Sequence, residues 1–189
     1  MFIKMLPEEE RVLLIELAKL LALSDNPLQW DGKMKDELTS DSDLNKLSIQ
    51  KDDLETELLE DMEQYISPHT SSFYYGWSEK ETENQLINRL KSFPLAKIND
   101  PENRLLAASS VLRTLLDGKK TDELITPKVI LFQLFLVALR DGKISNIEWM
   151  LLKEIQLYYN LPDFIFKDLL ERAEALNSEM SKTLALIFE

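Results

Sequence analysis

The sequence predicts an all-α protein, a compact bundle of about eight helices. Only 4 of its 189 residues are Gly, and the longer segments repeat their apolar residues with helical rather than alternating spacing. With 44% hydrophobic residues, the chain has enough apolar material for a sizeable core. Its length fits one domain. We expect a single helical domain over 1–189, with an N-terminal half over 1–91, a linker over 92–100 and a C-terminal half over 101–189.

The first helix is predicted from Pro7 to about Ser24. Proline suits the first helical position, and the three glutamates that follow it suit the positive end of the helix dipole. The apolar residues of this segment cover more than one stripe, so we expect the helix to be central in the fold. Residues 25–47 are polar and predicted to be irregular, and a second helix is predicted from about Ser48 to Ile66.

Six further helices are predicted, and local signals mark where several of them begin. Ser78 with Glu81 forms one capping box, and Ser145 with Glu148 forms another. The predicted spans are 78–90, 101–116, 127–140, 145–159, 163–176 and 178–188. The most apolar run, 129–139, rises only about 16 Å as a helix, half of the roughly 30 Å of hydrocarbon in a bilayer. We therefore expect a buried core helix there and no membrane insertion.

Most of the net negative charge of the chain comes from one segment. The chain carries 22 Lys+Arg against 34 Asp+Glu, a net charge of −12. Residues 36–63 hold 11 acids against only Lys46 and Lys51, a net charge of −9. This acidity argues against nucleic acid or an anionic membrane surface as a partner. Any function that uses negative charge is expected to map to 36–63.

The residue types that are missing exclude several classes of site. The chain has no Cys and one His, which excludes disulfides, thiolate zinc sites and most histidine-based catalysis. His69 has no nucleophile motif near it, so we interpret it as a surface residue and assign no catalytic residue. The first residues lack the pattern of a signal peptide. We expect a soluble cytoplasmic protein.

Residues 127–176 carry a pattern of an apolar helix, an Asp-Gly turn and a capped second helix. The turn reads RDGKISNIEWMLLKEI, and PDFIFKDLLERAEAL follows after a short pause. This pattern resembles the tellurite-resistance B family (TerB-like domains). The matching positions are Asp141, Gly142, Ile144, Ser145 and Glu148. The opening LPEEERVLLIELAKLLALSD also looks like the first helix of that family, and we interpret Asp31-Gly32 as a degraded copy of the turn.

The resemblance does not reach residues 36–100, but it carries expectations for the whole chain. It implies two loosely related helical halves, here with an acidic insertion at 36–63 in the first. It also implies a stress-associated bacterial context, no established enzymatic activity, and divalent-metal binding by acidic residues. Because family members are thought to act as adaptors beside membrane proteins or as modules on co-chaperones, the resemblance implies a protein partner.

One candidate metal site lies in the acidic segment. Asp41, Asp43, Asn45 and Asp52 match ligand positions 1, 3, 5 and 12 of an EF-hand loop. Lys46 stands where that loop needs a glycine for its sharp turn. A solvated acidic loop is the alternative, and we favour it.

A second candidate lies at the family motif. Asp141 and Glu148 match positions 5 and 12 of an EF-hand, but positions 1 and 3 would then be Val137 and Leu139, which cannot ligate. An EF-hand is therefore excluded. Helix capping by Ser145 and Glu148 explains the motif more simply, and the two acids stay candidate metal ligands.

A cluster of aromatic residues in a Ser-rich loop gives the candidate partner-binding residues. They are Phe73, Tyr74, Tyr75 and Trp77. Such residues dominate many binding interfaces, yet they also fold back over a core, and we favour core packing here. Trp30, in the first polar segment, has the same two interpretations.

We expect a non-enzymatic TerB-like interaction or stress-associated module without a cofactor. Its acidic face at 36–63 would recruit a basic partner or a divalent cation. The alternative is an enzyme or small-molecule binder with a carboxylate-lined pocket between the two halves. A third hypothesis is an acidic mimic of nucleic acid that binds a DNA-binding protein.

Overall fold

The computed structural model describes residues 2–66, 81–119 and 124–188. Within these residues the chain is mostly helical, which confirms the predicted helical class. The seven described α-helices are α1 (Glu8–Ser24), α2 (Asp53–Glu63), α3 (Glu81–Leu90), α4 (Pro101–Leu116), α5 (Ile125–Ala138), α6 (Asn146–Tyr158) and α7 (Asp163–Phe188). The strands are β1 (Leu28–Trp30) and β2 (Leu47–Ile49), and two 3₁₀ helices span Phe2–Met5 and Lys35–Glu37.

Helix α1 is central, as predicted. It packs against α2, α3, α4, α5 and α6, and ten of its 17 residues are buried. Its apolar residues cover more than one stripe, which lets it contact neighbours on several sides. At its C-terminal end the buried Arg104 of α4 donates from Nε to the Ser24 carbonyl at 2.9 Å. This bond satisfies a carbonyl that the end of a helix leaves without an intrahelical partner.

Helix α5 is the buried core helix that the apolar run predicted. Ten of its 14 residues are buried, and it packs against α1, α6 and α7. Phe135 meets Phe166 of α7 edge to face, with ring centroids 5.0 Å apart. Among the helices of the described ranges, none combines the length and the apolar character that crossing a membrane requires.

A small antiparallel sheet forms where no strand was predicted. Strand β1 and Leu47 lie in the segment predicted to be irregular, and Ser48 and Ile49 lie in the predicted second helix, so both predictions are wrong for these residues. In the register of the sheet, Leu28 pairs with Ile49 and Trp30 pairs with Leu47. All four side chains are buried, which places Trp30 in the core and not on the surface. Strands of three residues are too short to give a recognisable alternating pattern, so the sequence provides almost no signal for them.

The turn after β1 explains why an Asp-Gly pair occurs there. Asp31 and Gly32 have φ angles of +52° and +75°. Trp30 and Lys33 exchange backbone hydrogen bonds of 2.8 and 3.0 Å across the turn. Positive φ at both central residues is typical of a type I′ hairpin turn. Gly142, in contrast, follows a helix with a φ of +97°, so the two Asp-Gly turns differ in conformation.

Helix α2 begins later than predicted. Ser48, its predicted first residue, lies in β2 instead. The Asp52 side chain caps the helix by accepting from the amides of Leu54 and Glu55, at 2.9 and 3.1 Å. An aspartate at this position satisfies amides that the first turn leaves free.

Helix α7 replaces two predicted helices, 163–176 and 178–188. Asn177 and Ser178 are weak helix formers, but neither is a helix breaker of the Gly or Pro kind. The Asn177 amide donates to the carbonyl of Leu139 at 3.0 Å, away from its own backbone, so it does not compete with the helix. Beyond Ala173 no residue up to 188 is buried, and Phe188 is 85% exposed.

Candidate functional site

A cleft of about 230 Å³ opens between α1, α2 and α3. Its apolar lining is Ala22, Leu23 and Leu59. Its polar lining consists of five carboxylates (Asp52, Glu55, Glu60, Glu63, Glu83), two lysines (Lys19, Lys51), Asn26 and Thr56. Five negative and two positive groups give the lining a formal charge of −3. We call this feature the acidic cleft.

The periodicity of α2 explains how one helix forms a wall of the acidic cleft. Met62 is buried, and Leu58 packs against the core on the same side. The cleft-lining residues of α2 and its cap form two adjacent rows with i, i+4 spacing, 52/56/60 and 55/59/63. Residues four apart lie on one face of a helix, so the two rows present a continuous surface.

Lys19 lines the acidic cleft and is already paired. Its Nζ is 2.8 Å from Glu63 Oε1 and 3.2 Å from Glu16 Oε1. The hydroxyl of the buried Thr82 donates to the other oxygen of Glu16. Burial alone would lower the pKa of Lys19, but Glu16 and Glu63 outweigh burial and raise it. Lys19 is therefore a permanent cation that neutralises part of the lining.

Glu55 is the lining carboxylate with the most altered acidity. Burial raises its pKa to about 7, and the negative charges of Asp52, Asp25 and Asp141 act in the same direction. The Asn26 side-chain amide opposes this shift by donating to Glu55 Oε2 at 3.1 Å. Glu55 therefore changes between its neutral and charged forms close to neutral pH.

The loop between α5 and α6 lies next to the acidic cleft. Asp141 follows α5, and its charge acts on Glu55. Arg140, its neighbour, lies 3.8 Å from Glu57 of α2. The predicted family motif in the second half is therefore close to the acidic segment, although all lining residues of the cleft fall between 19 and 83. The cleft lies within the predicted N-terminal half and not between the halves.

Ser145 and Glu148 form the predicted capping box. The Ser145 amide donates to Glu148 Oε2 at 2.7 Å, and the Glu148 amide donates to Ser145 Oγ at 3.2 Å. Burial raises the pKa of Glu148 to about 8, with added repulsion from Asp25 and Asp141. Asp141 accepts from the Lys143 amide at 3.2 Å. Both candidate ligands of this motif are thus engaged in local turn and cap hydrogen bonds.

Two candidate ligands of the acidic segment accept hydrogen bonds from nearby backbone amides. Asp43 accepts from the Asn45 amide at 3.0 Å, and Asp52 caps α2. Strand β2 lies between Asn45 and Asp52 and pairs with β1, so the string does not form one continuous loop. Over 2–66, 81–119 and 124–188, no group of three or more Asp, Glu or His side chains is arranged to hold a metal ion. Metal binding by Asp41, Asp43, Asn45, Asp52, Asp141 or Glu148 stays a prediction.

Two sets of sequence predictions lie outside the described residues. These are the aromatic cluster of Phe73, Tyr74, Tyr75 and Trp77, and His69 with the capping box at Ser78. The roles predicted for them stay predictions.

Of the residues that line the acidic cleft, only Asp52 was predicted as a site residue, and Glu55, Glu60 and Glu63 fall in the predicted acidic face. Of its other charged or amide side chains, Lys51 lies within 36–63, whereas Lys19, Asn26 and Glu83 lie outside that segment and were not predicted. One signal for Lys19 was present, because a single lysine within the apolar segment LAKLLAL of α1 needs a partner when the helix is buried on several sides. No comparable signal marks Asn26 or Glu83, since each meets its partner only through the tertiary fold.

The TerB-like resemblance rests on residues 127–176 and on the opening helix. The structure shows an apolar helix, a capped helix and a third helix over 125–188, in the order that the motif implies. Helices of this kind occur in many folds, so this order does not test the resemblance. No protein-family model, no curated protein and no solved structure matches this chain.

Proposed function

We propose that this protein is a non-enzymatic helical interaction module of TerB-like type, which recruits a basic segment of a protein partner through its acidic face at 36–63. The acidic cleft is the observation that supports this proposal. Its lining carries a formal charge of −3 on a surface with apolar patches, which is what a basic peptide needs from a receptor.

The exposure of the acidic face also favours a role in binding. Of the 11 acids in 36–63, eight are exposed, three are half-buried and none is buried. The pairs that reach this segment, such as Lys46 with Asp31 and Arg140 with Glu57, leave most of its acids without a lysine or arginine within 4.0 Å in the described part of the chain. The electric field of these unpaired carboxylates accelerates the encounter with a partner of opposite charge.

A peptide titration tests the proposal. The probe is a fluorescently labelled octapeptide of alternating Gly and Arg, and the readout is anisotropy at low and at high salt. We expect saturable binding that weakens as salt screens the charges. Neutralising Glu60 and Asp61 together, as Gln and Asn, is expected to weaken binding ~5-fold because two exposed charges of the acidic face are removed.

The control variant removes the same charge from another surface. Glu171 and Glu174 are exposed acids of α7 outside the acidic segment, and both are changed to Gln. This variant is expected to bind the peptide with nearly the wild-type affinity. Equal weakening in both variants, or no binding by the wild type at millimolar protein, contradicts the proposal.

A small-molecule binder or enzyme is the second candidate function, and the acidity of Glu55 favours it. Carboxyl groups that titrate near neutral pH cluster at functional sites. This candidate predicts that small organic cations raise the melting temperature of the wild type but not of Glu55→Gln. An unchanged melting temperature across a panel of amines and guanidines contradicts it.

Binding of a divalent cation to the same face has its own test. Calcium, zinc and manganese are titrated into the protein while intrinsic Trp fluorescence and heat of binding are recorded. Clustered carboxylates attract hard cations, so a site at Asp41, Asp43, Asn45 and Asp52 predicts saturable binding that Asp41→Asn abolishes. Flat traces at millimolar metal contradict it.

A further inference from the structure

We infer that the acidic cleft receives one long cationic side chain, a lysine or an arginine, from the basic partner. This inference rests on the proposed function and names the group that is recognised at that face. The size of the cleft supports it first. At about 230 Å³ the cleft is smaller than the roughly 300–1,000 Å³ of sites that take drug-sized ligands, and it suits a single side chain.

The distribution of lining groups matches the two parts of such a side chain. Ala22 and Leu23 are buried, and with the half-buried Leu59 they offer apolar surface to an aliphatic stem. Asp52 and Glu60 are exposed and offer carboxylates to the charged head. Lysine and arginine place their stems on apolar surface while the charged group stays near water or acids.

The ion pairs inside the acidic cleft show which of its carboxylates lack a cationic partner. Glu63 and Glu83 are neutralised by Lys19 and Lys51, at 2.8 and 3.2 Å. Glu60, Asp52 and Glu55 have no lysine or arginine nitrogen within 4.0 Å in the described part of the chain. An incoming ammonium or guanidinium group would supply the missing positive charge.

The surroundings favour a side chain of a protein over a free amine. The acidic face continues outside the cleft, with exposed acids such as Asp53, Glu57 and Asp61 on α2. A peptide with several basic residues can place one in the cleft and others on these acids, whereas a free amine would use the cleft alone.

Two peptides of equal charge test whether stem length matters. The first is the Gly-Arg octapeptide, and in the second each arginine is replaced by 2-amino-3-guanidinopropionate, which carries the same guanidinium group on a shorter stem. Insertion into the cleft predicts that the arginine peptide binds ~10-fold more tightly because only its side chain reaches the apolar lining. Equal affinity for the two peptides overturns the inference.

A matched pair of variants tests whether the cationic side chain binds inside the acidic cleft. Glu60→Gln removes a lining charge, and Asp61→Asn removes the charge of its exposed neighbour outside the lining. We expect Glu60→Gln to weaken binding of the arginine peptide ~5-fold and Asp61→Asn to change it less than ~2-fold, since only the first charge faces the inserted group. Circular dichroism and thermal melts confirm that both variants fold.

Methyl NMR gives a readout that does not depend on either variant. Insertion predicts chemical-shift changes at the methyl groups of Ala22, Leu23 and Leu59 when the arginine peptide is added, and none of this size with the short-stemmed peptide. Binding without these shifts, with equal losses in the two variants, overturns the inference and leaves the proposed function standing. Absence of any peptide binding overturns both.

Discussion

Two carboxyl groups near the acidic cleft have raised pKa values for the same physical reason. Glu55 and Glu148 are both removed from water, and both feel the negative charges of Asp25 and Asp141. Desolvation disfavours the charged form of an acid, and nearby like charges add to this effect. The proton is therefore retained in the folded state at pH values where an exposed glutamate has lost it.

Burial of Glu148 is expected to make the protein less stable as the pH rises. The pKa of Glu148 rises from 4.5 to about 8 on folding, so the stabilising contribution is fully present below pH 4.5 and is lost as pH rises through about 8. We expect the free energy of unfolding to fall by ~1.4 kcal/mol for each pH unit that separates the unfolded and folded pKa values. Glu148→Gln keeps a capping side chain without a titrating group and should reduce the fall.

Urea denaturation of wild type and Glu148→Gln between pH 5 and 9 measures this dependence. The exposed Glu174 supplies the control, because Glu174→Gln should keep the wild-type pH profile. Parallel profiles for wild type and Glu148→Gln would contradict the expectation.

The bond from Asn26 is expected to limit the rise in the pKa of Glu55 that burial causes. Asn26 donates to Glu55 Oε2 and so favours the charged form. Asn26→Leu keeps the branched shape of the side chain but removes the donor, and it should raise the pKa of Glu55 above about 7. Carboxyl-carbon NMR titration measures the value, with Asn88→Leu on the exposed face of α3 as the control. A lower or unchanged pKa in Asn26→Leu contradicts this role.

At the scale of the element, the β1–β2 sheet depends on the conformation of its turn. Gly32 has a φ of +75°, and apart from its two chain neighbours no residue has a heavy atom within 4 Å of the place where a Cβ would lie. A side chain at position 32 would have room, but its backbone would be strained because the φ angle is positive. Left-handed backbone costs an ordinary residue ~1–2 kcal/mol, whereas asparagine tolerates it better.

Gly32→Ala is therefore expected to lower the free energy of unfolding by about 1 kcal/mol, and Gly32→Asn by about half of that. Chemical denaturation followed by Trp fluorescence measures both, since Trp30 is buried beside the turn. If alanine and asparagine have equal effects, the left-handed conformation is not what the turn requires.

Elements whose residues interact with near neighbours in the chain were predictable from the sequence. Features that depend on contacts between distant segments were not. The capping box at Ser145 and Glu148 and the apolar helix α5 depend on residues a few positions apart. The sheet depends on pairing across the 25–47 segment, and the acidic cleft depends on Asn26 meeting Glu55 and Lys51 meeting Glu83. These contacts depend on how the helices pack against one another. The residue pattern of a single segment does not specify that packing.

At the scale of the molecule, one end of α7 stands apart from the rest of the fold. Residues 174–188 include no buried residue, and the side chain of Asn177 bonds this end to the body at Leu139. The apolar side chains of this end, among them Leu184 and Phe188, are exposed. Residues that are equally exposed before and after unfolding add little to stability.

Deletion of residues 179–189 is therefore expected to change the free energy of unfolding by less than ~0.5 kcal/mol. A longer deletion, of residues 171–189, removes the buried Ala173 and the Asn177 bond and should be clearly destabilising. Urea denaturation compares the two truncations with the full chain. A large loss from the shorter deletion would show that the end of α7 packs against the protein.

The exposed end of α7 also has a consequence for how the protein behaves in solution. At low ionic strength we expect the net charge of −12 to keep copies of the protein apart, so that the exposed apolar side chains of 174–188 do not meet. Salt shortens the reach of this repulsion to ~10 Å at 0.1 M, and sulfate also strengthens apolar association. Precipitation thresholds in ammonium sulfate should therefore rise when residues 179–189 are removed, and colloidal stability would then depend on this helix end.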